Sequence, residues 1–148
     1  MYHYFPSKET ILQAMLEAHV HGLVRLAGDV ARQRTEAASK FRRYVFVHLQ
    51  YYFEHRDRHK VLIEDADHLP EGGRASVNQA EQQLVGFLVA MLRELNADRF
   101  KDKQVATTHA MLIYGMLNWT YTWYKPTGKF NLESLAEQAC ALCLNGNR

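Results

Sequence analysis

Eight histidines, two cysteines and a set of polar-tipped aromatic residues are the side chains of this 148-residue chain best suited to chemistry. Two pairs have metal-ligand spacing. His55 and His59 stand one helical turn apart, so their imidazoles could share a cation, with Glu54 or Asp57 beside them. The surrounding EHRDRHK alternates charge as a solvated helix end does, and that is the plainer reading of the pair. Cys140 and Cys143 share a face of a predicted helix, and two copies in a symmetric dimer could present four thiolates to one zinc. A metal-binding Cys-x-x-Cys normally lies in a turn, however, so both cysteines read as small core residues. A redox role would need a strand and a helix N-terminus, and neither is predicted here.

Signatures of catalysis are missing. The sequence has no Gly-rich phosphate loop, no strand-turn-helix around a nucleophilic serine and no His-Glu-x-x-His. The expectation is a protein that is not an enzyme and carries no metal or cofactor. Binding is the better prospect. Tyr44, Tyr51, Tyr52, Tyr114 and Tyr121 fall on helices that should face one another, and a buried tyrosine hydroxyl or the Asn118 amide needs a partner. A cavity for a mostly apolar ligand with a few polar handles would supply it. The pocket candidates, by helix face and polar tip, are Tyr44, His48, Tyr51, Phe87, Met91, Tyr114, Asn118 and Tyr121, with plain core packing as the competing reading of each.

The elements that must position these residues are all helical. Apolar residues return at helical spacing along the chain, and nowhere do they alternate over a strand's length. Ser7 can cap a first helix that carries Ile11, Leu12, Met15, Leu16, His19, Leu23, Leu26 and Val30 on one face and runs to about Arg34, with Gly22 and Gly28 as points of bending or breakage. A second helix spans about 36–56, and a short element about 59–67. Leu69-Pro70-Glu71-Gly72-Gly73 reads as the strongest loop signal, followed by a third long helix over about 75–95.

The fourth helix, about 103–124, is nearly apolar all round in its second half, MLIYGMLNWTYTWY, and so needs partners on both sides. One side can meet the core and the other a second subunit. A last helix covers about 132–144. Leu112, Met116, Trp119, Trp123, Leu135 and Ala139 are the expected interface of a homodimer built on four helices, two from each subunit.

Composition sets bounds on the rest. A hydrophobic content of 47% suffices for one domain with a core, and a net charge of +2 supplies no strong field for nucleic acid. There is no apolar run of bilayer length and no basic-then-apolar leader, so the chain reads as cytoplasmic.

Two stretches together resemble a known family. YHYFPSKETIL is similar to the end of the DNA-binding region of TetR-family transcriptional regulators, where a recognition helix closes in Tyr-x-His/Tyr-Phe before a turn and a Lys-Glu pair. GMLNWTYTWYKPTGKFNLESLAEQACALCLNG resembles a narrower branch that represses catabolic genes and responds to acyl-coenzyme A thioesters. The resemblance implies an all-α bundle, with residues 1–6 as a remnant of the recognition helix and turn and residues 7–148 as the ligand-binding and dimerisation domain. It implies DNA phosphate contacts for Tyr2, His3, Tyr4 and Lys8, while the base-reading part of the helix-turn-helix would precede Met1. An acyl-coenzyme A effector would need cations for its phosphates, and Arg42, Arg43 or Lys60 are candidates. The implied function is a ligand-responsive repressor whose sensor and dimer interface lie in this chain. The alternative is a helical dimerisation protein that titrates full-length regulators, with a helical metal protein or enzyme further behind.

Overall fold

The computed structural model describes residues 7–145, and these form an all-helical bundle with no strand among them. Six α-helices follow in order: α1 (Lys8–Ala31), α2 (Ala37–Glu54), α3 (Arg56–Asp65), α4 (Glu71–Leu95), α5 (Lys103–Trp119) and α6 (Leu132–Asn145). Single 3-10 turns, Ala66–His68 and Thr120–Thr122, extend α3 and α5. The predicted contacts of Tyr2, His3 and Tyr4 lie outside the described residues. No helix of the described residues is long and apolar enough to cross a membrane.

The first helix behaves as a single rod. Ser7 accepts the Thr10 amide at 3.1 Å, closing one of the open amides of the first turn. The 24 residues that follow span about 36 Å without a break. Neither Gly22 nor Gly28 interrupts it; Gly22 serves proximity instead. A Cβ built there would lie 2.5 Å from the Tyr51 hydroxyl oxygen, which donates to the His19 carbonyl of α1 at 2.6 Å.

Glycine explains a second departure from expectation. Pro70-Glu71-Gly72-Gly73 is not a loop, because α4 begins at Glu71 with Pro70 before it, where the missing amide costs nothing. Gly73 is buried, and a Cβ there would meet the Gln13 side chain at 2.5 Å. The glycine lets the start of α4 close on α1.

The core gathers Leu16, Val20 and Leu23 of α1, Phe41, Tyr44 and Leu49 of α2, and Leu84, Leu88 and Leu92 of α4, all at most 5% exposed. α1 packs against α4 and α2, α4 against α5, and α6 against α2. Lys40 is buried on α2, and its Nζ reaches the Glu94 carboxylate of α4 at 3.3 Å. That pairing answers the charge and ties the two helices.

Candidate functional site

A partly open cleft of about 610 Å³ lies where α1, α3, α4 and α5 converge. Its size falls within the range of small-molecule sites. Apolar walls come from Val20 and Leu23 of α1, Leu62 and Ile63 of α3, Leu84 and Val85 of α4, and Met111 of α5. Polar groups punctuate them: Tyr52, His59, Tyr114 and Asn118 on one side, and Asn78, Glu81 and Gln82 of α4 with Asp67 on the other. The amphipathic pattern of each helix puts its apolar stripe inward, and the cleft forms where four such stripes leave a gap.

Behind the cleft wall runs a buried polar chain. His48 Nδ1 lies 2.8 Å from the Tyr44 carbonyl, which can only accept, so Nδ1 carries the hydrogen. Burial holds the His48 imidazole neutral, its pKa lowered to about 4 against the weaker opposing pull of that same carbonyl. Nε2 is therefore an acceptor, and the Tyr114 hydroxyl, 2.9 Å away, donates to it. The Tyr44 hydroxyl, 2.6 Å from that of Tyr114 and 3.0 Å from the Leu84 carbonyl, donates to one or shares its hydrogen between them. Burial raises both phenols, so neither ionises near neutrality.

A second arrangement lies nearer the cleft. The Tyr52 hydroxyl donates to Asn118 Oδ1 at 2.6 Å, and His59 Nε2 donates to the Asn118 carbonyl at 3.0 Å. The His59 ring stacks on Tyr52 at 3.9 Å between centroids. One residue of α5 is thus gripped by α2 and α3 together.

The predicted pocket residues separate into three groups. Tyr114 and Asn118 line the cleft, and Tyr44 and His48 stand one layer behind, bonded to Tyr114. The other four are placed elsewhere. Tyr51 turns to α1, and Met91 is buried in the core at 2% exposure. Phe87 approaches α1 at Gly28, and Tyr121 packs edge-on against His59 with its hydroxyl 3.4 Å from Glu64. None of the four lines the cleft, because each side chain meets a different neighbour.

His59, Glu81 and Met111 also line the cleft without having been assigned to it from sequence, and Tyr52, read as one of the inward-facing tyrosines but not as a pocket candidate, lines it too. His59 is the sharpest correction: it is 1% exposed, not solvated. The chain turns at His55, where α2 ends and α3 begins, and this rotates His59 inward away from the charged face of EHRDRHK. Among the described residues, no group of three or more histidine, cysteine or acidic side chains could hold a metal ion.

A larger groove, about 670 Å³, separates α2 from α6 and is lined by Arg42, Arg43, Glu133 and Glu137 over a floor that includes Phe46 and Cys140. The two arginines named for a ligand's phosphates therefore lie on this groove and not on the cleft, and Lys60 is exposed on α3 and absent from the cleft lining. Cys140 is buried, and burial pushes both the Cys140 and Cys143 thiols up to about 11, where they are not nucleophiles at neutral pH.

The expected dimer face is also redrawn. Leu112, Trp119 and Trp123 are 59–68% exposed, and Met116 is partly buried against the core. Leu135 and Ala139 are buried within the protomer, where α6 packs on α2. Met111 and Leu142, by contrast, stand in solvent at 56% and 70%. Leu142 lies two turns beyond Leu135 on nearly the same side of α6 and is nonetheless exposed.

The described residues form an all-helical domain with an inter-helix cleft and an exposed aromatic helix face. The family described as "Tetracyclin repressor-like, C-terminal domain" matches residues 34–147. A TetR-family transcriptional regulator from Bordetella parapertussis is 36% identical, with 97% of this chain and 75% of that one covered at a TM-score of 0.91. PfmR, a TetR-family regulator from Thermus thermophilus, is 25% identical over 97% of this chain and 79% of its own, at a TM-score of 0.82. AibR, solved with isovaleryl coenzyme A and operator DNA, shares the fold at a TM-score of 0.78 and 18% identity, over 95% of this chain and 77% of its own. No curated protein sequence matches. The chain belongs to the TetR family of transcriptional regulators.

Proposed function

We propose that this chain is the effector-sensing and dimerising part, residues 7–148, of a ligand-responsive repressor that acts in the cytoplasm as a homodimer and catalyses no reaction. The observation that carries this reading is the position of the cleft: Val20 and Leu23 of α1 form part of its wall. A ligand seated there bears directly on the rod that, in the family arrangement, connects the sensor to the DNA-reading head. Heads in a dimer must meet successive major grooves about 34 Å apart. A displacement of α1 by a few ångströms at its far end is then enough to weaken operator binding. Tyr2, His3, Tyr4 and Lys8 would touch phosphates, which position the protein without reading sequence.

The effector is a small, mostly apolar molecule, a reading supported by the apolar walls of the cleft. An acyl-coenzyme A thioester is a second reading, favoured by the isovaleryl coenzyme A bound to AibR. In this chain the acyl end could enter while the phosphates stay outside, since no described lysine or arginine lines the cleft.

Light scattering and thermal melting test the proposal together. The wild-type chain should scatter as a dimer, and Trp119→Asp should scatter as a monomer with its helical content retained. A wild-type monomer at micromolar concentration would remove the dimer assignment. A small-molecule screen in which some apolar compound raises the melting temperature supports the sensor. Complete failure of such a screen, acyl-coenzyme A thioesters included, would remove it.

A further inference from the structure

The hydrogen-bond directions around the cleft say which end of a ligand it can receive. Each hydroxyl or ring N–H of its aromatic side already has an internal acceptor. The Tyr114 proton goes to His48 Nε2, a direction forced by the Nδ1–H of His48 facing a carbonyl. The Tyr52 proton goes to Asn118 Oδ1, and the His59 Nε2 proton to the Asn118 carbonyl. These three side chains have no donor left for an incoming carboxylate or phosphate. Only the neutral Asn78, Gln82, Asn118 and Thr107 retain N–H or O–H groups toward the cleft, and each carries an acceptor as well.

The charges point the same way, and they are a separate observation. Both ionisable acids of the lining, Glu81 and Asp67, are carboxylates, while no described lysine or arginine contributes to it. Asp67 has a distant partner in Arg74 at 3.9 Å. Glu81 makes no ion pair among the described residues. Partial desolvation beside the cleft, at a side chain that still reaches solvent, and, secondarily, the Asp67 carboxylate raise the Glu81 carboxyl above its ordinary range. A cation brought beside it would offset the repulsion from Asp67 and favour the charged carboxylate.

We propose that the cleft selects an apolar molecule bearing a protonated amine, with Glu81 as the specificity-determining counter-ion. This rests on the cleft being the effector site, and it narrows that site to a chemical class. The ammonium brings donors and a positive charge to a lining that has two carboxylates and, among the described residues, no lysine or arginine, and its charge pairs with Glu81. The apolar remainder lies against Leu23, Leu62, Ile63 and Val85. An anionic head group would meet two carboxylates and, among the described residues, no lysine or arginine.

Four probes of equal chain length test this on the full chain by calorimetric titration and melting at pH 7.5: hexylamine, hexanol, hexanoate and hexanoyl-coenzyme A. Hexylamine is protonated there, as a lysine side chain is. It is expected to bind at least tenfold more tightly than hexanol, with hexanoate weaker still. Glu81→Gln should weaken hexylamine tenfold or more and leave hexanol unchanged; Glu81 is exposed on α4, so the unliganded melting temperature should hold. Val85→Trp, which fills the cleft, should abolish binding of every probe. Hexanoate or hexanoyl-coenzyme A binding as tightly as hexylamine would overturn the amine assignment and leave the sensor reading intact. So would an unchanged hexylamine affinity in Glu81→Gln, or hexylamine binding that survives Val85→Trp. If none of the four binds, the amine assignment falls and the cleft's sensing role falls with it.

Discussion

At the residue scale, the buried chain through Tyr44, Tyr114 and His48 makes two tyrosines unequal although their hydroxyls touch. Tyr114→Phe leaves His48 Nε2 a buried acceptor with nothing to receive, a loss of about 1–3 kcal/mol. Tyr44→Phe removes a donor from acceptors with other partners or other roles: the Leu84 carbonyl sits within the ladder of α4, and the Tyr114 oxygen still donates. That change should cost about 1 kcal/mol or less. Urea denaturation of the two variants measures the ordering, and equal losses would contradict the proton directions assigned here. The members of this chain were legible as polar-tipped residues on inward faces. Their partners were not, because Tyr114 meets His48 across 66 positions of sequence. Tyr51, chosen on the same grounds, instead meets α1, because Gly22 opens a place for it there.

At the scale of the element, the helix stripes could be read from apolar periodicity, and α1, α2, α5 and α6 fall where the spacing puts them. The start of α4 could not be read so, since two glycines after a proline signal a turn unless one knows that Gln13 closes over Gly73. Two other glycines give a test of what covers α5. Gly86 in α4 and Gly115 in α5 are both within helices, and a Cβ at either meets nothing within 4 Å in the protomer. By helix propensity alone each change to alanine should stabilise by about 1 kcal/mol. Gly86→Ala is expected to do so. Gly115 lies between Leu112 and Trp119 on the exposed face of α5, where a partner helix would approach closely. Gly115→Ala should therefore raise the dimer dissociation constant, as measured by sedimentation. A shift of equal size and sign in Gly86→Ala would disconnect the effect from the interface.

For the whole molecule, the consequence of burying imidazoles is a stability that depends on pH. Desolvation lowers His19 and His48 to about 4, with nearby His59, His55 and Arg58 adding to the effect at His19, and burial lowers His59 as well. In the unfolded chain all three titrate near 6.5. Between these limits the unfolded state binds more protons, so stability is complete above about pH 6.5 and is lost as pH falls toward 4. For His19 and His48 together the slope is at most about 2.5 kcal/mol per pH unit. Urea midpoints at pH 7, 6 and 5 should fall in that order, and a flat series would show that the imidazoles are not held neutral. Helix periodicity puts His19 and His48 on apolar faces, apart from His21 and His68, which are exposed, but it does not set His59 apart from them. Burial of a histidine is a property of the assembled bundle, not of its neighbours in the chain.

The notch at Gly22 has a consequence for how this domain can vary. Alanine there would gain about 1 kcal/mol of helix propensity. It would also force the Tyr51 hydroxyl from the His19 carbonyl, at a combined cost of about 2–4 kcal/mol from overpacking and the lost bond. Once Tyr51 is phenylalanine, the nearest remaining atom of the ring stands at 3.4 Å and the obstruction is gone. Gly22→Ala is therefore expected to destabilise the native chain and to stabilise the Tyr51→Phe chain, a reversal of sign that equilibrium unfolding of the four combinations would reveal. Residues 22 and 51 can drift only as a couple: a lineage that loses the hydroxyl first is free to fill the notch, and one that fills the notch first must pass through a weakened protein.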